Sequence, residues 1–134
     1  MWVTNWHDGT VSVLRASDGS PFLTLSVGLH PKGIAFDGAN MWVVNQNAGT
    51  VSALRASDGE HVMTCEVGTM PSDVAFDGAN IWVTNSHDGT VSVLKASDGS
   101  LVTSVPLGAV PQAVAFDGAN MWIADWAEDM VSKL

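Results

Sequence analysis

Phe36-Asp37-Gly38-Ala39-Asn40-Met41-Trp42-Val43-Val44-Asn45 returns almost unchanged at 76–85 and again at 116–125. Its tryptophan sets the spacing, recurring as Trp2, Trp42, Trp82 and Trp122 at intervals of 40 residues. About half of each 40-residue unit is identical in all three copies. Self-similarity at such a period marks a chain built from repeated supersecondary units that bury their apolar faces against one another.

Within one unit the quoted stretch holds two strands and the turn between them. Gly33 to Asp37 is a short apolar run, strand A, closed by Asp37-Gly38-Ala39-Asn40, where Gly and Asn tolerate positive φ. Met41 to Asn45 is strand B, with Trp42 and Val44 on one face and Met41 and Val43 on the other. Asn47-Ala48-Gly49 turns the chain into strand C, Thr50 to Arg55, whose polar and apolar residues alternate. After Ser57-Asp58-Gly59, strand D runs from Val62 to Val67 and ends at Gly68-Thr69-Met70-Pro71. No segment carries a helical period long enough to bury a face. Four short antiparallel strands per unit, with tight turns and one Pro-containing crossing loop, describe a blade of a β-propeller, so the fold class is all-β.

The residues Trp-Val-Thr-Asn, Gly-Thr-Val-Ser-Val-Leu, Asp-Gly, Val-Gly-x-x-Pro and Val-Ala-Phe-Asp-Gly resemble the YVTN/NHL-like propeller repeats, in particular the branch that includes streptogramin (virginiamycin B) lyases. The resemblance spans essentially the whole chain. It implies that strand A is innermost and D outermost, so the chain reads B-C-D, A-B-C-D, A-B-C-D, A-B-C, or 14 strands and about 3.5 blades. Residues 1–134 then form one partial propeller with units 1–40, 41–80, 81–120 and a partial unit 121–134.

An arc of this kind exposes an apolar flank and an unpaired edge at each end, which predicts a homodimer closing a ring. Met1, Trp2, Val3, Phe36, Trp122, Ile123, Trp126, Val131 and Leu134 are the expected contact residues. Ring size stays open. Six blades form if Gln112–Asp117 of one chain completes the first sheet of the other, leaving 121–134 surplus. Eight form if the incomplete blades stay separate, and seven requires an asymmetric pair. The last segment has lost the turn glycine of its counterparts, reading Glu128-Asp129-Met130, yet keeps a strand pattern.

The formal charge of −9, with five basic residues, disfavours nucleic acid and anionic membrane as partners. Six of the 14 acidic residues are turn aspartates at 18, 37, 58, 77, 98 and 117, read as solvated turn caps. Cys65 is alone, stands where Leu25 and Val105 stand in the other units, and reads as a small buried hydrophobe. No run of about 18 apolar residues spans a membrane. Met1 lies in register with Met41, Ile81 and Met121, so no targeting segment is read there; a soluble chain of open compartment is expected. The start is either cut into a longer repeat array or left by a lost leader. The high repeat identity reads as recent amplification or a fragment.

Variation between the units concentrates in the B–C turns and D–A loops, which a meander brings to one side. That diversified face is where a small ligand or carbohydrate is expected, through Trp6, His7, His30, Lys32, His87 and Trp126. Trp6 and Trp126 are also read as packing on each other across a subunit contact, the reading preferred for them. None of the four histidines, His61 included, stands at the spacing of a zinc site, so no metal or cofactor is expected. Lyases of the resembling branch use an acid/base histidine and carboxylates with a divalent ion on this face. His30, His7 and His87 are the bases carried over, and Glu128 is the only glutamate on that side. A non-enzymatic self-assembling scaffold is therefore preferred, with a lyase-like enzyme completed in the oligomer as the alternative.

Overall fold

The computed structural model describes residues 1–134 and contains strands but no helix. The first sheet consists of β1 (Trp2–Asn5), β2 (Thr10–Leu14) and β3 (Pro21–Ser26). The second holds β4 (Pro31–Phe36), β5 (Asn40–Asn45), β6 (Thr50–Arg55) and β7 (His61–Glu66). The third holds β8 (Pro71–Phe76), β9 (Asn80–Asn85), β10 (Thr90–Lys95) and β11 (Leu101–Pro106). The fourth consists of β12 (Pro111–Phe116), β13 (Met121–Asp125) and β14 (Met130–Lys133). Each sheet is an antiparallel meander in chain order, giving the 3, 4, 4 and 3 strands expected from the repeat. β4, β8 and β12 lie side by side, which makes the A strands the inner rim.

Strand ends differ from the sequence reading by one or two residues, strand A running Pro31–Phe36, B Asn40–Asn45 and D His61–Glu66. The A strands begin at Pro31, Pro71 and Pro111, so proline opens the strand instead of standing outside it. A first residue needs no ladder donor, and a register shift follows within three residues in each case. In the A–B turn only Gly38 takes a positive φ, of 102°, while Asn40 is spent on hydrogen bonding.

The turn aspartates divide into two kinds. Asp18, Asp58 and Asp98 cap the exposed C–D turns through the amides of Ser20, Glu60 and Ser100. Asp37 does more: one carboxylate oxygen accepts from the amides of Ala39 and Asn40, and the other accepts the Trp42 indole N–H at 2.6 Å. Asp77 holds Trp82 in the same way at 2.7 Å, and Asp117 holds Trp122 at 2.6 Å. The reading of these three as mere solvated caps is corrected: each turn also fixes a tryptophan ring, and Trp42 and Trp82 pack against a neighbouring sheet.

Side-chain alternation decides which sheet each strand faces. Trp42, Val44, Val51 and Ala53 of the second sheet pack on Val74, Ile81, Val83 and Leu94 of the third. Val43 and Leu54 point the other way, onto Val11 of the first. Val114, Met121 and Ile123 of the fourth sheet likewise meet Ala75 and Val91 of the third. Even B-strand positions therefore look forward and odd ones look back. At roughly 1.5–3 kcal/mol per fully buried aliphatic side chain, these inter-sheet clusters are the main stabilising term.

The rule also sorts the expected contact residues. Met1 and Val3 look back where no sheet precedes, and Met1 is 72% exposed. Trp122 and Val131 look forward where no sheet follows and are open, Val131 at 62%. Ile123 looks back and is buried against the third sheet, so the expectation of an outer contact there is corrected. Trp2 packs on the Val11, Val43 and Leu54 cluster and is half-buried rather than free. Leu134 and Trp126 are exposed, as is Phe36. Cys65 is half-buried, not fully buried; its Sγ lies under Gly99, where an added Cβ would come to 2.4 Å.

Candidate functional site

The B–C turns and D–A loops are joined along one edge of the arc by backbone hydrogen bonds. Gln46 donates to the His30 carbonyl at 3.0 Å, Ser86 to Met70 at 3.1 Å and Trp126 to Val110 at 3.1 Å. A buried asparagine ties the first two D–A loops down from beneath. Asn45 accepts the Gly28 amide at 2.9 Å and donates to the hydroxyls of Thr50 and Ser52. Asn85 does the same with Gly68, Thr90 and Ser92. The glycines are obligatory, since a Cβ on Gly28 or Gly68 would lie 2.5 or 2.6 Å from the asparagine Cγ.

On this scaffold Trp6, His7 and His30 come together. The Trp6 ring stacks on His30 with centroids 4.1 Å apart and meets His7 edge-on at 4.7 Å. The Trp6 indole donates to Gln46 at 3.4 Å, and the Nδ1 of His30 is buried without a partner. His30 has a φ of 54°, but Met70 has the same value in the next loop, so the strain belongs to the loop geometry and not to the histidine. Lys32 lies apart from this group, donating to the Gln112 side chain at 3.2 Å between the second and fourth sheets. His87 is exposed on the third sheet, and Trp126 is 76% exposed at the far end.

Asp73 belongs to none of the motifs above. Its counterparts are Gly33 and Ala113, a difference visible in the sequence as one carboxylate in an otherwise small position. The side chain occupies the space beside Gly33, where an added Cβ would lie 2.7 Å from Oδ1, and Oδ2 accepts the Val114 amide at 3.1 Å. It thus links three successive inner strands. Burial pushes its carboxyl above the usual range, opposed by the amides of Val114 and Val74 and by the Lys32 ammonium.

Clefts lie between successive sheets. One of about 330 Å³ is bounded by the 46–49 turn and residues 66–70; another, of about 370 Å³, includes Gly68, Asp88 and Ser92. None of the six expected ligand residues lines these or the two smaller clefts. No three His, Cys, Asp or Glu side chains converge closely enough to hold an ion.

The architecture has many solved counterparts. The RRP9 WD40 repeats superpose with a TM-score of 0.83 at 19% identity, over 96% of this chain and 44% of that one. The chain is part of a β-propeller. The propeller arc also matches hydrazine synthase of Kuenenia stuttgartiensis (TM-score 0.88, 20% identity, 99% of this chain and 42% of that one). Streptogramin B lyase matches with a TM-score of 0.84 and 15% identity, over 98% of this chain and 46% of that one. The arc spans less than half the length of each of these three chains. Such identities carry the fold alone. No protein-family model matches the sequence, and no curated protein matches it.

Proposed function

We propose that this chain is a self-assembling propeller module whose ring is closed by a second copy. The observation that carries this reading is the pair of open terminal faces. Met1 and Val3 at one end, and Trp122 and Val131 at the other, are the two halves of a contact that the arc already makes three times internally. A head-to-tail arrangement of two arcs joins unlike ends twice and stops growing. Light scattering with native mass spectrometry tests this on the unmodified chain. A discrete dimer is expected, and Val3→Asp should convert it to a monomer with unchanged circular dichroism. A monomeric unmodified chain would overturn the reading.

A second reading concerns the diversified face. The Trp6–His30 stack supports a site for a small flat ligand or a carbohydrate there. Titration of soluble oligosaccharides against tryptophan fluorescence checks it, with Trp6→Ala abolishing any response. Streptogramin B lyase shares the fold, and a lyase-like activity would require His30 or His7 to meet a carboxylate from the second chain. Turnover of a streptogramin B with a divalent ion present, lost in His30→Ala, would favour that enzyme over the scaffold.

A further inference from the structure

We infer that the closing contact is a strand exchange: β12 of one chain seats beside β1 of the other, displacing its own hairpin β13–β14. The inference rests on the self-assembly reading and specifies how the ends join.

The first sheet has no inner strand, and the place beside β1 is bordered by groups left half-made. Of the four equivalent tryptophans, Trp42, Trp82 and Trp122 donate their indole N–H to an aspartate five residues earlier; Trp2 makes no such bond. Asn5 donates to Thr10 and Ser12 like its counterparts, but its Oδ1 accepts nothing, whereas Asn45 and Asn85 each take a loop glycine amide. Ile34 and Phe36 of β4 face the same place. Ile34 is half-buried where Val74 and Val114 are buried, and Phe36 is 53% exposed where Phe76 packs into a cluster.

The fourth sheet holds the complementary halves. Its inner strand β12 is followed by Asp117, counterpart of the acceptors that hold Trp42 and Trp82. The Gly108 amide, counterpart of Gly28 and Gly68, is not held by the B strand of its own sheet; it falls back on the Gly89 carbonyl at 3.2 Å. The reason is the eroded hairpin. Asp125 replaces the asparagine, Met130 replaces the threonine that it would bind, and Asp129 takes the place of glycine at a φ of 51°. The Asp125 carboxylate turns instead to the amides of Ala127 and Glu128.

Residues 1–14 and 121–134 are equivalent, so β1–β2 fits the place that β13–β14 holds. In the exchanged blade Trp2 donates to the partner's Asp117, Asn5 accepts the partner's Gly108 amide, and Met1 and Val3 replace Met121 and Ile123 against the third sheet. The inner strand then covers Ile34 and Phe36. Contact between the terminal faces without exchange leaves all of these groups as they are. Two intact blades and one composite blade per chain make a ring of six.

Antiparallel partners are about 4.5–5.5 Å apart at Cα, within reach of a disulfide. The register Val114↔Ile123 becomes Val114↔Val3 after exchange. In a Cys65→Ala background, Val3→Cys with Val114→Cys should therefore yield, on oxidation, a species of twice the chain mass under denaturing, non-reducing conditions. Thr4→Cys with Ala113→Cys samples the neighbouring register pair and should give the same product. Hydrogen exchange on the unmodified dimer supplies a readout independent of those variants: β13 should exchange freely and β1 be protected. A native dimer that cross-links at neither pair and keeps β13 protected overturns the exchange while leaving self-assembly intact. A monomer overturns both.

Discussion

Asp37, Asp77 and Asp117 show how one side chain couples a turn to a core. Each carboxylate serves two amides of its own turn and one indole, and for Asp37 and Asp77 the indole belongs to a ring that fills the space between sheets. Burial opposes the charge at Asp37 and Asp77, yet the hydrogen bonds to the tryptophan, Asn and Ala donors outweigh it and hold both carboxyls below their usual range. At exposed Asp117 the Trp122 indole leads the same lowering. Replacing Asp77 by Ala should cost about 2 kcal/mol, the scale of a charge-assisted bond lost from a part-buried donor. Asp98→Ala, in an exposed turn, should move the urea midpoint much less. Carboxyls lowered in the fold stabilise it above their unfolded values near 4, and that contribution is lost as pH falls through the folded values. Urea midpoints should accordingly drop between about pH 4 and 2. Asp73 has the opposite sign, its raised carboxyl costing stability at neutral pH. Asp73→Asn keeps an acceptor for the Val114 amide and should raise the midpoint at pH 7, the gain fading as the pH is lowered.

At the scale of the element, the hairpins differ in what closes them. β5–β6 and β9–β10 are each closed by a buried Asn with a Thr, a Ser and a positive-φ glycine. β13–β14 keeps only the serine of that set. Asp129→Gly should relieve a left-handed non-glycine residue and stabilise the hairpin by about 0.5–1 kcal/mol, read as slower exchange of β13 amides. By stabilising the hairpin in its place beside β12, where its turn is ordered, it should also weaken the dimer. Gly68→Ala tests the loop anchor. The added methyl would press on the Asn85 Cγ at 2.6 Å in a buried site, so a loss of about 1–3 kcal/mol in unfolding free energy is expected.

For the whole molecule, the ordering of sheets was legible because the period is long and the alternation within it strict. Trp42 and Val44 read as one face and join one cluster with the third sheet. The candidate site was less legible. That B–C turns and D–A loops share a face follows from meander topology, but the approach of Trp6 to His30 depends on how the loop after β3 folds back over the first turn. The bond from Lys32 to Gln112 spans 80 residues and two sheets, and no local pattern announces it. The triple role of the turn aspartates was hidden in the same way, because a capping aspartate and an indole acceptor have the same sequence signature.

The sequence by itself determined the blade: strand count, turn positions and the recurring tryptophans. Those properties are local, since they arise from side-chain alternation and from the few residues able to make each turn. Tertiary structure alone decided which way each face looks, that Ile123 is already covered, and that Trp2 and Asn5 lack the partners held by their counterparts. These follow from the curvature that brings successive inner strands together, a property of sheets packed in sequence and not of any one repeat.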